Sequence, residues 1–293
     1  MPDTIMDRFS EKQDEINQHR WEAAALYPAL WSKMIAEWNT PDPQDRVWLT
    51  YSANYLFRTN NVRWAIDPLT LSWRIEEAPK VDVARDLGGL SFILLTHRHN
   101  DHLDTELLSA LRHMPITWVV PEFILSKVLR QSGLPRENII VPSPLVPIEI
   151  NGIHILPFSG LHCETKPDGN LKGVPAMGYL IECNGKRWLF PGDTRTYDAS
   201  LLPALDPVDV LFAHLWLGRG SALMDEPPLL DAFCRFFLDL RPHRLILTHL
   251  TEFGRDANDF WDDSHAWCVS SRFKQIDPDI SVVPAFLGEN ILL

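Results

Sequence analysis

The chain has 293 residues, 45% of them hydrophobic, and carries 39 acidic against 27 basic side chains for a net charge of −12. That make-up is globular, with enough chain for a large core. An acidic surface repels phosphate backbones and anionic lipid, so no nucleic-acid partner is expected.

No apolar run approaches the roughly 20 residues of a membrane span, so none is expected. The opening "MPDTIMDRFSEKQDE" lacks the apolar stretch of a signal peptide. Cys163, Cys183, Cys234 and Cys268 are too scattered for a disulfide framework. A cytoplasmic location with reduced thiols is the expectation. A homo-oligomer is left open.

The first forty residues read as helical. Leu30, Trp31, Met34, Ile35 and Trp38 repeat at one-face spacing, and Pro28 suits a helix start. "NTPDPQD" then breaks the chain, which divides it into a helical arm, 1–44, and a main domain, 45–293. The arm is expected to pack on the core, with a lid or a dimer contact as the alternatives.

β texture follows. "VWLTYSANYLFRT" and "VRWAID" flank Asn60 and Asn61 and predict a hairpin. Asn151-Gly152 and Asn184-Gly185 predict two more. Between and after them, buried-strand runs alternate with helical patterns. "SFILLT" precedes "DTELLSALRH", and "ITWVV" precedes "PEFILSKVLRQSG" with Pro121 and Gly133 at its ends. "VDVLFAH" precedes "PPLLDAFCRFFLDL", and "RLILTH" precedes a helix expected around 256–275. Hairpins mixed with βα units predict layered sheets covered by helices, an α/β class.

One stretch concentrates chemistry. "THRHNDHLD" places His97, His99, Asp101, His102 and Asp104 just past a short apolar strand, where α/β folds build sites. In extended backbone His97 and His99 point the same way. Asp104 is placed to cap the helix that starts at Thr105. Two imidazoles aimed at one point, with an Asp-His pair behind them, fit metal binding better than a solvated turn does.

Such a loop needs partners from other strand ends. His162, Asp193 and His249 each stand just past an apolar strand. Five His and two Asp could serve two metals, with Asp193 between them, and two metals can polarise a scissile group through a bridging hydroxide. His214 ends the strand "VDVLFAH", at the same edge, and is read as a substrate contact or a support for a ligand. His113, His154, His19, His243 and His265 receive non-ligand readings, most of them at the surface. Cys163 is read as packing.

With these residues in hand, the chain resembles the metallo-β-lactamase superfamily over about 45–293. Its HxHxDH motif reads His97, His99, Asp101, His102, and His162, Asp193 (in "GDT") and His249 follow in the family's order. The resemblance implies an αββα sandwich, here with an extra N-terminal helical arm. It assigns His97, His99 and His162 to one metal, Asp101, His102 and His249 to the other, and a loop-supporting role to Asp67 in "AIDP". Position 193 holds Asp rather than the Cys of some lactamases.

The stretch from "SGLHCE" to "PGDT", with "HLTEFG" near the end, is similar to the branch of L-ascorbate-6-phosphate lactonase and N-acyl-phosphatidylethanolamine phospholipase D-like proteins. The implied function is a metal-dependent hydrolase of a small-molecule lactone or phosphodiester. A metal-bound hydroxide would attack, and Asp101 would orient it or shuttle the proton. Thioester hydrolase, sulfur dioxygenase and a metal-binding protein without turnover are the alternatives. The cofactor expected is two divalent ions, zinc first and Mn or Fe next. An anionic substrate would need local cations, and Lys166, Lys172, Arg195 and Arg219 are the candidates, the arginines foremost.

Overall fold

The computed structural model describes residues 5–165 and 169–293. Helix α1 (Ile5–Asn39) leads into strands β1 (Arg46–Leu49), β2 (Tyr55–Thr59) and β3 (Val62–Ile66). Short helices α2 (Leu71–Arg74) and α3 (Val83–Leu87) precede β4 (Phe92–Leu94), α4 (Thr105–Leu111), β5 (Thr117–Val119), α5 (Glu122–Ser132) and β6 (Ile139–Ile140). Then come β7 (Ile148–Ile150), β8 (Ile153–Ser159), β9 (Cys163–Thr165), β10 (Leu171–Gly173), β11 (Met177–Cys183) and β12 (Lys186–Phe190). The chain closes with β13 (Val208–His214), α6 (Leu230–Asp239), β14 (Pro242–Thr248), α7 (Asp263–Ile276), β15 (Ser281–Pro284) and β16 (Asn290–Leu292).

The strands form two seven-stranded mixed sheets, β16–β1–β2–β3–β4–β5–β6 and β15–β14–β13–β12–β11–β8–β7, and a separate β9–β10 hairpin. All three predicted hairpins are present: β2–β3, β7–β8 and β11–β12. Their turn residues Asn60, Asn61, Asn151 and Asn184 all take positive φ, which Asn tolerates better than most residues. Parallel pairing runs through β3–β4–β5–β6 and β12–β13–β14–β15, where helices cross over.

The sheets face one another across an aromatic core. Phe57 stacks on Trp64 at 3.9 Å and Phe190 on Phe212 at 4.3 Å. Burying each such ring contributes on the order of 2–3 kcal/mol, before the entropy of ordering it. Residues of α1, α3, α4 and α5 cover the outer face of the first sheet, and α6 and α7 that of the second. The αββα sandwich is therefore the observed architecture.

Helix α1 is part of this packing. It buries Ile16, Tyr27, Trp31, Met34 and Trp38, and the Trp38 indole donates to the Phe57 carbonyl at 2.9 Å. Pro28 does not start a helix; it lies inside one continuous helix. A proline there forfeits one backbone hydrogen bond, and apolar contacts on both sides of it offset that loss.

Two further readings are corrected. The last long helix starts at Asp263 rather than near 256, because Asp262 caps it by accepting from Ser264 and His265 backbone amides. His265 is not a free surface residue: its ring completes that capping box and also contacts the Ala222 carbonyl at 2.8 Å. Helices α4 and α5 match their expected caps, Asp104 accepting from Leu107 and Gly133 taking the left-handed conformation. Among the described residues no helix is long and apolar enough to cross a membrane.

Candidate functional site

Strands of both sheets end at one edge, and the polar residues gather there. Asp67 follows β3, His97 to His102 follow β4, His162 follows β8, Asp193 follows β12, His214 ends β13 and His249 follows β14. Asp67 and His249 both have positive φ, 43° and 64°, uncommon for residues other than glycine. Backbone bonds hold them there: Asp67 donates to Leu94 at 3.0 Å and His249 to Ser52 at 2.7 Å. Gly173 on β10 is required by its neighbour, since a Cβ there would collide with the His162 carbonyl.

All seven residues expected as ligands converge. His97, His99, His162 and Asp193 form one group, and Asp101, His102, Asp193 and His249 another, the ligand atoms of each lying within 4.8 Å of one another. Asp193 is the member common to both. Cys163 stands in neither.

The outward ring nitrogens of His97, His102 and His249 are tied down, which aims their other nitrogens inward. His102 Nδ1 donates to Asp67 at 2.8 Å, and His97 Nδ1 donates to the Thr96 hydroxyl at 2.9 Å. Thr96 in turn donates to Asp67 through both its hydroxyl and its amide. His249 Nδ1 contacts the Leu215 carbonyl at 3.3 Å. His214 Nδ1 donates to Asp193 Oδ1 at 2.8 Å, while its Nε2 accepts from Tyr55, whose oxygen is 2.7 Å from the Thr248 hydroxyl.

Electrostatics separates the rings. Burial pushes His97 well below the usual imidazole range, His162 down to about 3 and His214 down to about 4, so all three are neutral near pH 7. For His102 burial acts the same way, but Asp193 and Asp67 outweigh it and raise the ring well above its usual value. Burial would raise the Asp101 carboxyl, yet His249 and His102 hold it well below.

This donor set fits a metal. His97 Nε2 and His162 Nε2 lie 3.2 and 3.0 Å from His99 Nδ1, and a single proton can serve only one of those contacts. A tetrahedral ion with ligands about 2.1 Å away would hold them about 3.4 Å apart. His102 Nε2 is buried and lies 3.2 Å from Asp193 Oδ1, inside the second group. A cation among the three ring nitrogens of His97, His99 and His162 satisfies them together.

Above the cluster opens a pocket of about 650 Å³, lined in part by His99 and Asp101. Lys172, Arg195 and Arg219 stand at it, as expected; Lys166 lies outside the described residues. The guanidinium of Arg195 packs 5.4 Å from the Trp216 ring centre, and Arg219 is exposed. Sequence reading missed Arg74, Arg98, Lys127 and Arg255, which line the same pocket. Two had a signal: Arg98 stands inside "THRHNDHLD", and Arg255 in the "TEFGRD" that follows His249. His214 sits beneath the cluster, 3% exposed.

Residues 63–250, more than half of the chain, match the model of the beta-lactamase superfamily domain. The chain is similar to Igni18, a metallo hydrolase from the archaeon Ignicoccus hospitalis KIN4/I, at 17% identity and TM-score 0.61, over 85% of this chain and 98% of that one. It is also similar to CmlA, a diiron β-hydroxylase from Streptomyces venezuelae, at 18% identity and TM-score 0.60, over 87% of this chain and 55% of that one. Isothiocyanate hydrolase from Delia radicum gut bacteria aligns at 15% identity and TM-score 0.55, over 85% and 98% respectively. At such identities the likeness is one of fold. The family match, with the clustered His and Asp residues, gives the assignment: the chain belongs to the metallo-β-lactamase superfamily, as a metal-dependent hydrolase.

Proposed function

We propose that this hydrolase acts on a small anionic molecule, a lactone or a phosphodiester, with two divalent cations as cofactors. His97, His99 and His162 would hold one, Asp101, His102 and His249 the other, and Asp193 would serve both. Zinc is the first candidate for an all-nitrogen-and-oxygen set, with manganese or iron next. When bound, the pair supplies Lewis acidity toward the scissile group and a water of lowered pKa.

The chain's own residues do the rest. The Asp101 carboxylate, ionised and a member of the second ligand group, would orient a water at the site and handle its proton. His214, held by Tyr55, which Thr248 contacts in turn, keeps Asp193 in place from below. Arg195, stacked against Trp216, and Arg219 at the mouth hold the substrate's anionic group.

One observation carries this reading. The protein's net charge is −12, yet among the described residues seven of the nine charged side chains lining the pocket over the cluster are cationic. A neutral substrate would not need that concentration of positive charge, and an anionic one in the protein's overall field would.

The test is a hydrolysis panel of lactones, phosphodiesters and thioesters, each as anionic and neutral analogues, on protein loaded with zinc, manganese or iron. Turnover of an anionic lactone or phosphodiester is expected. Turnover of thioesters alone would replace this reading with the thioesterase one. Oxygen uptake without hydrolysis would favour a sulfur dioxygenase or the diiron chemistry named for CmlA. Metal binding with no turnover on any of these substrates would sink the hydrolase reading.

A further inference from the structure

The segment after His249 builds something the metal cluster does not require. Glu252 is 3% exposed, and its carboxylate is surrounded by donors. Arg74 reaches Oε1 through Nε at 3.1 Å and Nη2 at 2.6 Å, and Arg255 reaches Oε2 through Nε at 2.6 Å. The Gly254 amide and the Tyr51 hydroxyl complete the set at 3.0 and 3.3 Å. Two guanidinium groups therefore share one buried carboxylate, and Arg255 has Asp101 as a second acid.

Both arginines face the pocket. Arg74 and Arg255 both line it, with side chains 15% and 30% exposed. Arg255 also reaches across to Asp101 Oδ2 at 3.1 Å, so the pair sits at the edge of the second ligand group. Gly254 makes the arrangement possible: a Cβ there would collide with the Arg74 guanidinium. The loop is pinned from behind by the Thr251 amide on the Trp261 carbonyl at 2.7 Å.

The acid is hidden, while both arginines keep part of their surface at the pocket wall. Arg is the residue suited to two-point binding of planar or tetrahedral oxyanions. Fixing both side chains on Glu252 beforehand removes much of the ordering cost of binding.

We propose that Arg74 and Arg255, carried on Glu252, form a clamp for a phosphate or carboxylate group of the substrate, seated beside Asp101 and selecting anionic over neutral substrates. The use of the clamp in catalysis rests on the hydrolase reading; its existence as an anion site does not.

The experiment is calorimetric titration of the zinc-loaded full chain with inorganic phosphate and, separately, with succinate. Metal content and melting temperature are measured alongside. Arg74→Ala touches no metal-cluster residue and is the deciding variant. It should weaken binding of at least one anion about tenfold or more at unchanged metal content, and Arg74→Lys should restore only part of it. Glu252→Gln should weaken the same anion by releasing both arginines. A preference for phosphate over succinate, or the reverse, tells which oxyanion the clamp takes. Equal anion affinity in wild type and Arg74→Ala, or no binding to wild type, overturns the clamp. Because this readout is binding, it holds whether or not the panel finds turnover.

Discussion

Asp67 Oδ2 accepts the Nδ1 proton of His102 at 2.8 Å, and the same carboxylate takes both the amide and the hydroxyl of Thr96. Through Thr96 it reaches His97 as well. One buried aspartate thus sets the tautomer of a ring in each ligand group. Asp67→Asn keeps the volume but turns one acceptor into an amide donor facing an imidazole N–H. Zinc affinity should fall about 10–100-fold, the usual cost of losing such a support, as read by competition with a chelating dye. Unchanged affinity would mean that the rings are aimed by packing alone.

The ligand groups make a second, more direct prediction. His97→Ala or Asp193→Ala should lower metal content per chain, with Asp193→Ala losing more because it belongs to both groups. His113→Ala, an exposed position outside the cluster, should change nothing. Chelation of the wild-type protein should lower its melting temperature by several degrees. An ion held at about 1,000 times its dissociation constant contributes about 4 kcal/mol to the folded state. Full occupancy in both ligand variants by elemental analysis would reject the assignment.

Asp262 ties α1 to α7 and makes stability pH-dependent. It caps α7 and pairs with Lys12 at 2.6 Å. Burial would raise its carboxyl, but bonds from His265, Lys12 and Ser264 hold it far below the usual aspartate range. A carboxyl whose folded value is depressed stabilises the fold fully above the ordinary aspartate pKa, and that share is lost as pH falls below it. Asp262→Ala should cost about 1–2 kcal/mol near neutral pH, the range for a strong cap. The gap between wild type and variant in urea unfolding should narrow below about pH 4. A gap that stays constant down to pH 2 would assign the cost to packing instead of charge.

Much of this was legible in the chain itself, for local reasons. Asn-Gly and Asn-Asn turns announce hairpins because few residues accept positive φ, and strand-end histidines announce a site because strand ends share an edge. Long-range geometry was not legible. Nothing near Pro28 says that Tyr27 and Trp31 pack tightly enough to carry the helix through it. Arg74 lies in a four-residue helix 178 positions from Glu252, so no spacing could pair them. His265 looked like surface because its partners are a cap three residues back and a carbonyl 43 residues away.

Asp101 separates chemistry from folding. Its loop is held by its backbone, the Asn54 side chain donating to the Asp101 carbonyl at 2.8 Å, so replacing the carboxylate leaves that anchor intact. The side chain itself faces His249 at 3.4 Å and Arg255 at 3.1 Å. Asp101→Asn keeps the shape and an oxygen for Arg255, but it can neither carry the negative charge a cation favours nor accept a proton from water. Turnover on whichever substrate the panel identifies should fall at least about a hundredfold, the lower end for a residue that handles a proton. Arg255 keeps its bond to Glu252, so melting temperature should move by no more than a few degrees. The diagnostic is the split between the two readouts. Near-normal turnover would remove Asp101 from the mechanism, and a collapse of stability equal to the loss of rate would make it a structural residue instead.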